Sequence, residues 1–517
     1  MLKLSPPVAT LAAFALAKLV VHALYLRPYG WFRDELYYIA CSEHLAWGYV
    51  DHPPLSVALL KAWRVAFGDS LVAIRLGPAI AGSLVVAFTG MVAIELGGGA
   101  LAVALACLGV LVAPALLGAH HTWSMNAFDH LAWIVIALLA VRALKRGTPR
   151  AWLALGVALG LALLNKWSIL WLGAGIAAGV VLSPARRQLA RPWPYVAAAL
   201  ALAIFAPHVV WEVKNDWPTL EFMKNALGQK YVALSPLAFA REQLPLMSPF
   251  SLPLTLAGLV HAARQRNAND GAFVLGTAFM TTLAILLASK GAKPEYLVAA
   301  YPMLFACGGV GCESWLGRAR VKSATLVATS VGIYAVVLVA TSAVIAPFAL
   351  PVLSEEHFVR YAAALGVKPS TSEKKELAEL PQHYADQHGW PELVAAVGAV
   401  WAALPEADRA KATLFAGSGG YGPAAALDFF GPAYGLPPAR AEHNNYWLWG
   451  PGDGDGSVVV LVGGDREDSE PLFESLEQVA TFECRYCMPY ENHKPIYIAR
   501  GLKTTFAALW PKLRHYQ

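Results

Sequence analysis

Charge is the first thing this 517-residue chain is short of: Asp, Glu, Lys and Arg make up 15% of it, against roughly a quarter in soluble globular proteins. That scarcity, with 57% hydrophobic residues and a mean hydropathy of +0.47, excludes an ordinary soluble domain and points to an integral membrane protein. An excess of one sign is missing too. The formal net charge of +5 sits in short clusters, which argues for membrane orientation and against nucleic acid as a partner. Cysteine is sparse: Cys41, Cys107, Cys307 and Cys312 are scattered, and only Cys484 and Cys487 form a C-x-x-C, a weak signal alone. No Gly-rich loop on an α/β core marks a nucleotide site. No internal repeat marks the inverted halves of a transporter. No small-residue cleavage site follows the apolar run 8–26, so that run is expected to stay as a first span and not to be removed as a signal peptide.

What is present in abundance is apolar runs of spanning length. The expected spans are 8–26, 71–95, 100–118, 131–144, 151–164, 168–183, 194–211, 246–263, 272–288, 296–313 and 323–346, eleven in all. Read as one helix, 151–182 would be about 48 Å long, too long for a hydrocarbon core of about 30 Å. Both its flanks are basic (Arg142, Lys145, Arg146 and Arg150 before, Arg186, Arg187 and Arg191 after), so both belong on the cytoplasmic side. The chain is expected to cross twice there, with Asn165 and Lys166 at the outer tip. Arg264 and Arg266, then Arg318, Arg320 and Lys322, fall on the same cytoplasmic side in this count. After residue 346 Pro, Gly, Asp and Glu become common, and 457–464 and 495–500 read as strands among helical stretches such as 391–403. The expected organisation is an all-α polytopic membrane domain over 1–350 and an extracytoplasmic α/β domain over 351–517.

This topology gathers scattered polar residues on one side. "YGWFRDELYYIACSEHLAWGYVDHPPLSV" (29–57) is the first outward segment and carries Asp34, Glu35, Asp51 and His52. "HHTWSMNAFDH" (120–130) is the second, Lys166 the third tip, "EVKNDWPTLEF" (212–222) the fourth and "SKGAKPEY" (289–296) the fifth. Solvation of the loops explains charges there. It explains less well why Trp31, Tyr37, Tyr38, Trp47, Trp123 and Trp217 are interleaved with them. Singly these aromatics read as an interfacial belt; with opposed acids and lysines they read as a cavity at the membrane surface.

"RDELYYIACSEHLAWGYVDHPPL", followed at span spacing by "SMNAFD", "GLALLNKWS" and "SKGAKPEYLVAAYPML", resembles the bacterial members of glycosyltransferase family 39. These are relatives of the protein O-mannosyltransferases and of the lipid A aminoarabinose transferase, in the GT-C superfamily. The resemblance covers roughly residues 8–346. It implies a multi-pass enzyme of the cytoplasmic membrane with its site on the outer face, which moves a sugar from a polyprenyl-phosphate carrier to a lipid, glycan or protein acceptor. It further implies that Asp34 is the catalytic base. A single acting carboxylate implies inversion at the sugar carbon, by analogy with displacement chemistry. Glu35 would point about 100° away from Asp34 on a helix, so the two cannot share one role. A cap on a helix starting near Leu36 is the alternative for Asp34.

Lys166 and Lys290 match positions where relatives hold the lipid phosphate, and Lys293 is placed to serve as well; the alternative for each is a lysine reaching to the interface. Tyr296 matches the tyrosine that opens the following span. Asp129 matches the superfamily's second-loop acid, placed to orient the acceptor or help bind a metal, with an N-cap as its alternative. One position departs from the pattern. Where the aminoarabinose transferase has lysine before Pro-Pro-Leu, this chain has His52, a weaker phosphate partner unless Asp51 or the phosphate keeps it protonated. Asp51 and His52 also suggest metal ligands, but no ligand set is dense enough to claim a site, so a divalent metal is left open. Glu35, Asp51, His52, Asp129, Lys166, Lys290, Lys293 and Tyr296 are the expected substrate-binding residues. A lipid-phosphate flippase and a non-catalytic lipid-binding relative are the competing readings. Against the flippase, the charges lie at helix ends and not at mid-membrane depth.

Overall fold

The structure is a computed structural model that describes residues 5–268, 271–289, 291–318, 324–371, 373–417 and 420–517. Each of the eleven expected runs coincides with helix, but fewer qualify as spans. Among the described residues six helices are long and apolar enough to cross a membrane: Pro6–Ala23, Leu71–Glu95, Met125–Arg146, Trp193–Lys214, Pro294–Arg318 and Thr325–Phe348. Two bent pairs raise the count to eight at most, Ile169–Val181 with Pro184–Ala190 (102°) and Pro236–Met247 with Pro249–Arg264 (97°). The run 246–263 therefore starts inside a bend, which Ser248 makes with φ 71°. Pro114 likewise divides 100–118 into Ala100–Val112 and Pro114–Ala119, because its ring has no N–H to continue the ladder. Leucine-rich periodicity does not reveal such breaks.

Small residues bring the helices together. A Cβ added at Gly308 would stand 2.2 Å from the Leu254 carbonyl oxygen, and one at Gly309 2.2 Å from that of Ala102. In lipid, where apolar burial drives little association, such close backbone approach supplies the packing.

The first outward segment is itself helical, Arg33–Glu43 and then Leu55–Phe67. The Arg33–Glu43 helix starts two residues earlier than a cap at Asp34 would allow. Phe32 is its N-cap, and the Glu35 carboxylate accepts the Phe32 amide at 3.0 Å. The acids of this first turn also face the positive end of the helix dipole.

In the C-terminal region five strands form one sheet: β1 (Thr413–Ala416), β2 (Arg440–Ala441), β3 (Val458–Val462), β4 (Phe473–Phe482) and β5 (Lys494–Leu502), in the order β2-β1-β3-β5-β4. β2, β1 and β3 run parallel, and β5 is antiparallel to β3 and β4. β3 is buried throughout, as an apolar run covered on both faces should be. One face of this sheet packs with the Phe506–Leu513 helix in a cluster of its own, which includes Phe415, Val459, Tyr497, Phe506 and Trp510; the other face is shared. One hydrophobic cluster joins Leu36, Tyr37, Ile39, Cys41, Leu60 and Trp123 of the outward segments to Trp390, Val397, Leu427 and Val460 of the C-terminal region.

The interleaved aromatics divide accordingly. Tyr37, Tyr38 and Trp123 belong to that core, whereas Trp47 (58% exposed) and Trp217 (40%) stay on the surface.

Candidate active site

Asp34 is the second residue of its helix, so its side chain leaves the core face that Glu35 occupies. The Tyr421 hydroxyl donates to Asp34 Oδ1 at 2.8 Å, the Arg33 guanidinium lies 3.6 Å from the same oxygen, and the side chain keeps 34% of its surface exposed. Tyr421 opens the Tyr421–Phe430 helix, which can lie close because Gly422 faces Arg33; a Cβ there would be 2.7 Å from Arg33 Cγ. Arg33 in turn is held by Asp386 (3.5 Å) and by the Tyr490 hydroxyl (2.6 Å).

Glu35 has no such opening. It is fully buried against Arg75 at 2.9 Å and accepts the Phe32 and Trp123 amides. The substrate-binding role expected of Glu35 is corrected on this ground: its oxygens are spent on organising the first outward segment.

Asp51 reaches the same region through an aromatic bridge. It accepts the Tyr37 hydroxyl at 3.1 Å and the Asn445 amide at 3.4 Å, and the Tyr37 ring stacks on Tyr421 at 4.3 Å. Burial raises the Asp51 carboxyl above its ordinary range; His52 and the Tyr37 hydroxyl oppose the rise, and Asp34 adds to it. His52 is not an open phosphate partner. It is 2% exposed, stacked on Tyr38 at 4.5 Å, with Nε2 3.8 Å from Asp51 Oδ1.

A second group forms where helix Pro149–Leu163 gives way to Ile169–Val181. Asn165 donates to the Met125 carbonyl (2.9 Å) and Lys166 to Asn126 (2.7 Å), which ties this tip to the second outward segment. Asp129 is buried, accepts the Ser168 hydroxyl at 2.7 Å and lies 3.6 Å from Lys166. Lys166 stands 5.4 Å from the Tyr296 ring centre. Asp129, Lys166 and Tyr296 thus meet, as expected.

Lys293 belongs to a third group, with Lys230, Tyr231 and Glu373. Glu373 pairs with Lys293 at 3.1 Å and Lys230 at 3.7 Å, and Lys293 lies over the Tyr231 ring. Burial pushes the Glu373 carboxyl up, but Lys230, Lys293, Arg33 and the Gln382 amide outweigh it and hold it at about 2. Lys290 lies outside the described residues.

Arg33 was visible in the RDEL motif. Lys230 and Tyr231 lie beyond the 212–222 segment, and nothing in the sequence singled them out. Nothing local announced Glu373, Asp386, Tyr421 or Asn445. Among the described residues no group of three His, Cys, Asp or Glu side chains is placed to hold a metal ion, so no step is routed through one.

Asp386 gives this site a pH handle. Burial pushes its carboxyl up to about 7 against the pull of Arg33, with Asp34, Glu491 and Glu373 adding to the rise. Its ordinary value is about 4, so between the two values the native chain holds a proton that the unfolded chain releases. That contribution to stability is full below about pH 4 and is lost as pH rises through about 7. The melting temperature of the wild type should therefore fall more steeply over this window than that of Asp386→Asn. Parallel profiles would show that Asp386 stays ionised throughout.

Residues 51–211 match the family model for dolichyl-phosphate-mannose-protein mannosyltransferase. The lipid A galacturonosyltransferase RgtD of Rhizobium johnstonii is 26% identical over 282 residues, 52% of this chain and 58% of RgtD. The match thus spans less than two thirds of that relative's length. ArnT from Cupriavidus metallidurans bound to undecaprenyl phosphate has the same fold, with a TM-score of 0.59 at 17% identity over 94% of this chain and 97% of ArnT. Its apo state matches equally well, at 0.59 and 18% identity over 95% and 97%. Residues 51–211 thus carry the sequence pattern of that family model, and the chain shares the ArnT fold along nearly its whole length.

Proposed function

We propose that this protein is a multi-pass glycosyltransferase of the cytoplasmic membrane that moves a sugar from a polyprenyl-phosphate carrier to an acceptor on the outer face. The observation that carries the reading is Asp34 itself, a carboxylate open on one side, with Arg33 against it. Asp34 takes the proton of the acceptor hydroxyl as its oxygen bonds to the sugar carbon. The bond from that carbon to the phosphate oxygen breaks on the opposite side, and the polyprenyl phosphate leaves with the electron pair. Inversion follows from this single displacement. Lys293, Lys230 and Lys166 stabilise the charge that gathers on the leaving phosphate. Lys290, from its place in the sequence, is assigned to the same task. Asp51 and Asp129 hold their neighbours in place for acceptor and donor, and Tyr296 lies beside Lys166 as a wall. RgtD, named for galacturonosyl transfer to lipid A, and the undecaprenyl phosphate bound by ArnT support the donor class and a membrane acceptor.

Purified protein in lipid nanodiscs should convert a polyprenyl-phosphate sugar to free polyprenyl phosphate in the presence of cell-envelope acceptors, and should leave nucleotide sugars intact. Transfer straight from a nucleotide sugar would overturn the proposal. Lys166→Ala and Lys293→Ala should each weaken donor binding. A hydrogen bond to a charged group contributes about 1.5–3 kcal/mol, so roughly ten- to hundredfold is expected in donor Kd.

A further inference from the structure

The Arg33–Glu43 and Tyr421–Phe430 helices pack along their length, and the Asp34–Tyr421 contact lies at one end of the pair. At the other end, His44 and Asp428 line a cavity of about 230 Å³ with Arg440, Tyr446 and Trp449. Ten residues separate His44 from Asp34, about 15 Å along a helix. The cavity is outside the reacting centre yet on the same rigid support.

Its walls carry a specific chemistry. His44 stacks on Trp449 at 4.2 Å and 20°, and Tyr446 meets Trp449 edge-on at 4.7 Å. The Asp428 carboxylate is fixed by two donors, the Tyr446 hydroxyl at 2.6 Å and the Ala439 amide at 2.8 Å, which leaves each oxygen a second lone pair. The Arg440 guanidinium makes no hydrogen bond or ion pair among the described residues, although it lines this cavity. It also lines a second cavity of about 340 Å³ that carries Lys411, Asp453 and Asp455. Aromatic faces receive the apolar C–H face of a sugar ring, and a fixed carboxylate and a forked guanidinium receive its paired hydroxyls.

The position adds a membrane. The loop after His44 is fastened to the Trp193–Lys214 span, where His208 Nδ1 lies 2.9 Å from the Trp47 carbonyl oxygen. Gly48 lies against Trp211 so closely that a Cβ would stand 2.2 Å from its ring. Leu45 (59%) and Trp47 (58%) on this loop are exposed, as aromatic and apolar side chains at a lipid–water boundary are.

We propose that this cavity is a saccharide-binding subsite, which holds one sugar unit of a membrane-anchored glycolipid acceptor while another unit is presented to Asp34. The assignment rests on the glycosyl-transfer reading. The test uses the full chain in nanodiscs, a polyprenyl-phosphate sugar as donor, and two acceptors: the glycolipid fraction of the cell envelope and the saccharides freed from it. His44→Ala, at an exposed helix end, and Arg440→Gln should each raise the acceptor KM at least tenfold, with kcat and donor Kd unchanged and melting temperature retained. Freed saccharide should need a higher concentration than glycolipid in the wild type. An unchanged KM in both variants overturns the subsite, and equal KM for freed and lipid-linked acceptor overturns the membrane-anchored source. If the wild type transfers no sugar at all, the transfer reading fails instead. Saturation-transfer NMR with chitobiose and lactose then decides the subsite: a sugar signal seen with the wild type and abolished by Arg440→Gln keeps it, and no sugar signal with the wild type removes it.

Discussion

Asp34→Asn should lower kcat by about 100-fold or more while donor affinity stays within a few-fold, because removal of a general base costs in that range and the loss falls in the transition state. Asparagine keeps the size of the side chain and an oxygen for the Tyr421 hydroxyl, which donates at 2.8 Å. What it removes is the proton acceptor. Tyr421→Phe provides the contrast: it leaves the carboxylate and removes one neutral hydrogen bond, for which about 1 kcal/mol, or roughly fivefold, is expected. Single-turnover transfer together with donor binding separates the two. A turnover near wild type in Asp34→Asn would remove Asp34 from the chemistry.

The second large effect lies beside the first and concerns stability. Arg75 and Glu35 are both fully buried. Besides Glu35, Arg75 donates to the carbonyl oxygens of Gly30 (2.6 Å) and Leu26 (3.2 Å) and to Gln387 (3.3 Å). The pair therefore joins the chain before the outer helix, the Leu71–Glu95 span, the second outward segment through Trp123, and the C-terminal region. Removing one member leaves an uncompensated buried charge, which costs about 3–5 kcal/mol. Glu35→Gln and Arg75→Met should each lower the melting temperature of the detergent-solubilised protein by many degrees. The double variant should lose less than the sum of the two, since it leaves no lone charge. Strict additivity would show that the two charges do not act as a pair.

How far the sequence could be read depends on how local each signal was. Asp34 stood in a quotable motif, and the angular offset of Glu35 followed from helix geometry alone. Lys166, Asp129 and Tyr296 came together because the positions of the basic clusters place their segments on one face. β3 and β5 were legible as apolar runs. β1, with four residues, was too short to register, and β4 presents glutamates and a glutamine along exposed positions of a sheet edge, with no strict alternation to mark it as a strand. An apolar run also says nothing about the bend at Ser248, which falls inside the span expected over 246–263. Glu373, Asp386, Tyr421 and Asn445 were beyond reach for a different reason. Each matters through a partner far away in the chain, as Tyr421 does for Asp34, and a single sequence carries no record of such pairs.

The shared core also sets an order of events in the cell. Synthesis runs from the N-terminus, so the span helices can enter the bilayer while residues beyond 350 are still being made. At that stage Tyr37 waits for Asn445, Asp34 for Tyr421 and Arg33 for Asp386. All three arrive only when the final third of the chain has been made and has folded onto the Arg33–Glu43 helix. Assembly of the site is thus the last step of maturation. A ribosome that stops before Trp390 leaves an unfinished molecule, with Leu36, Ile39 and Leu60 bare where the sheet and its helices should cover them. Docking of the C-terminal region is thus what covers this apolar patch in the complete chain.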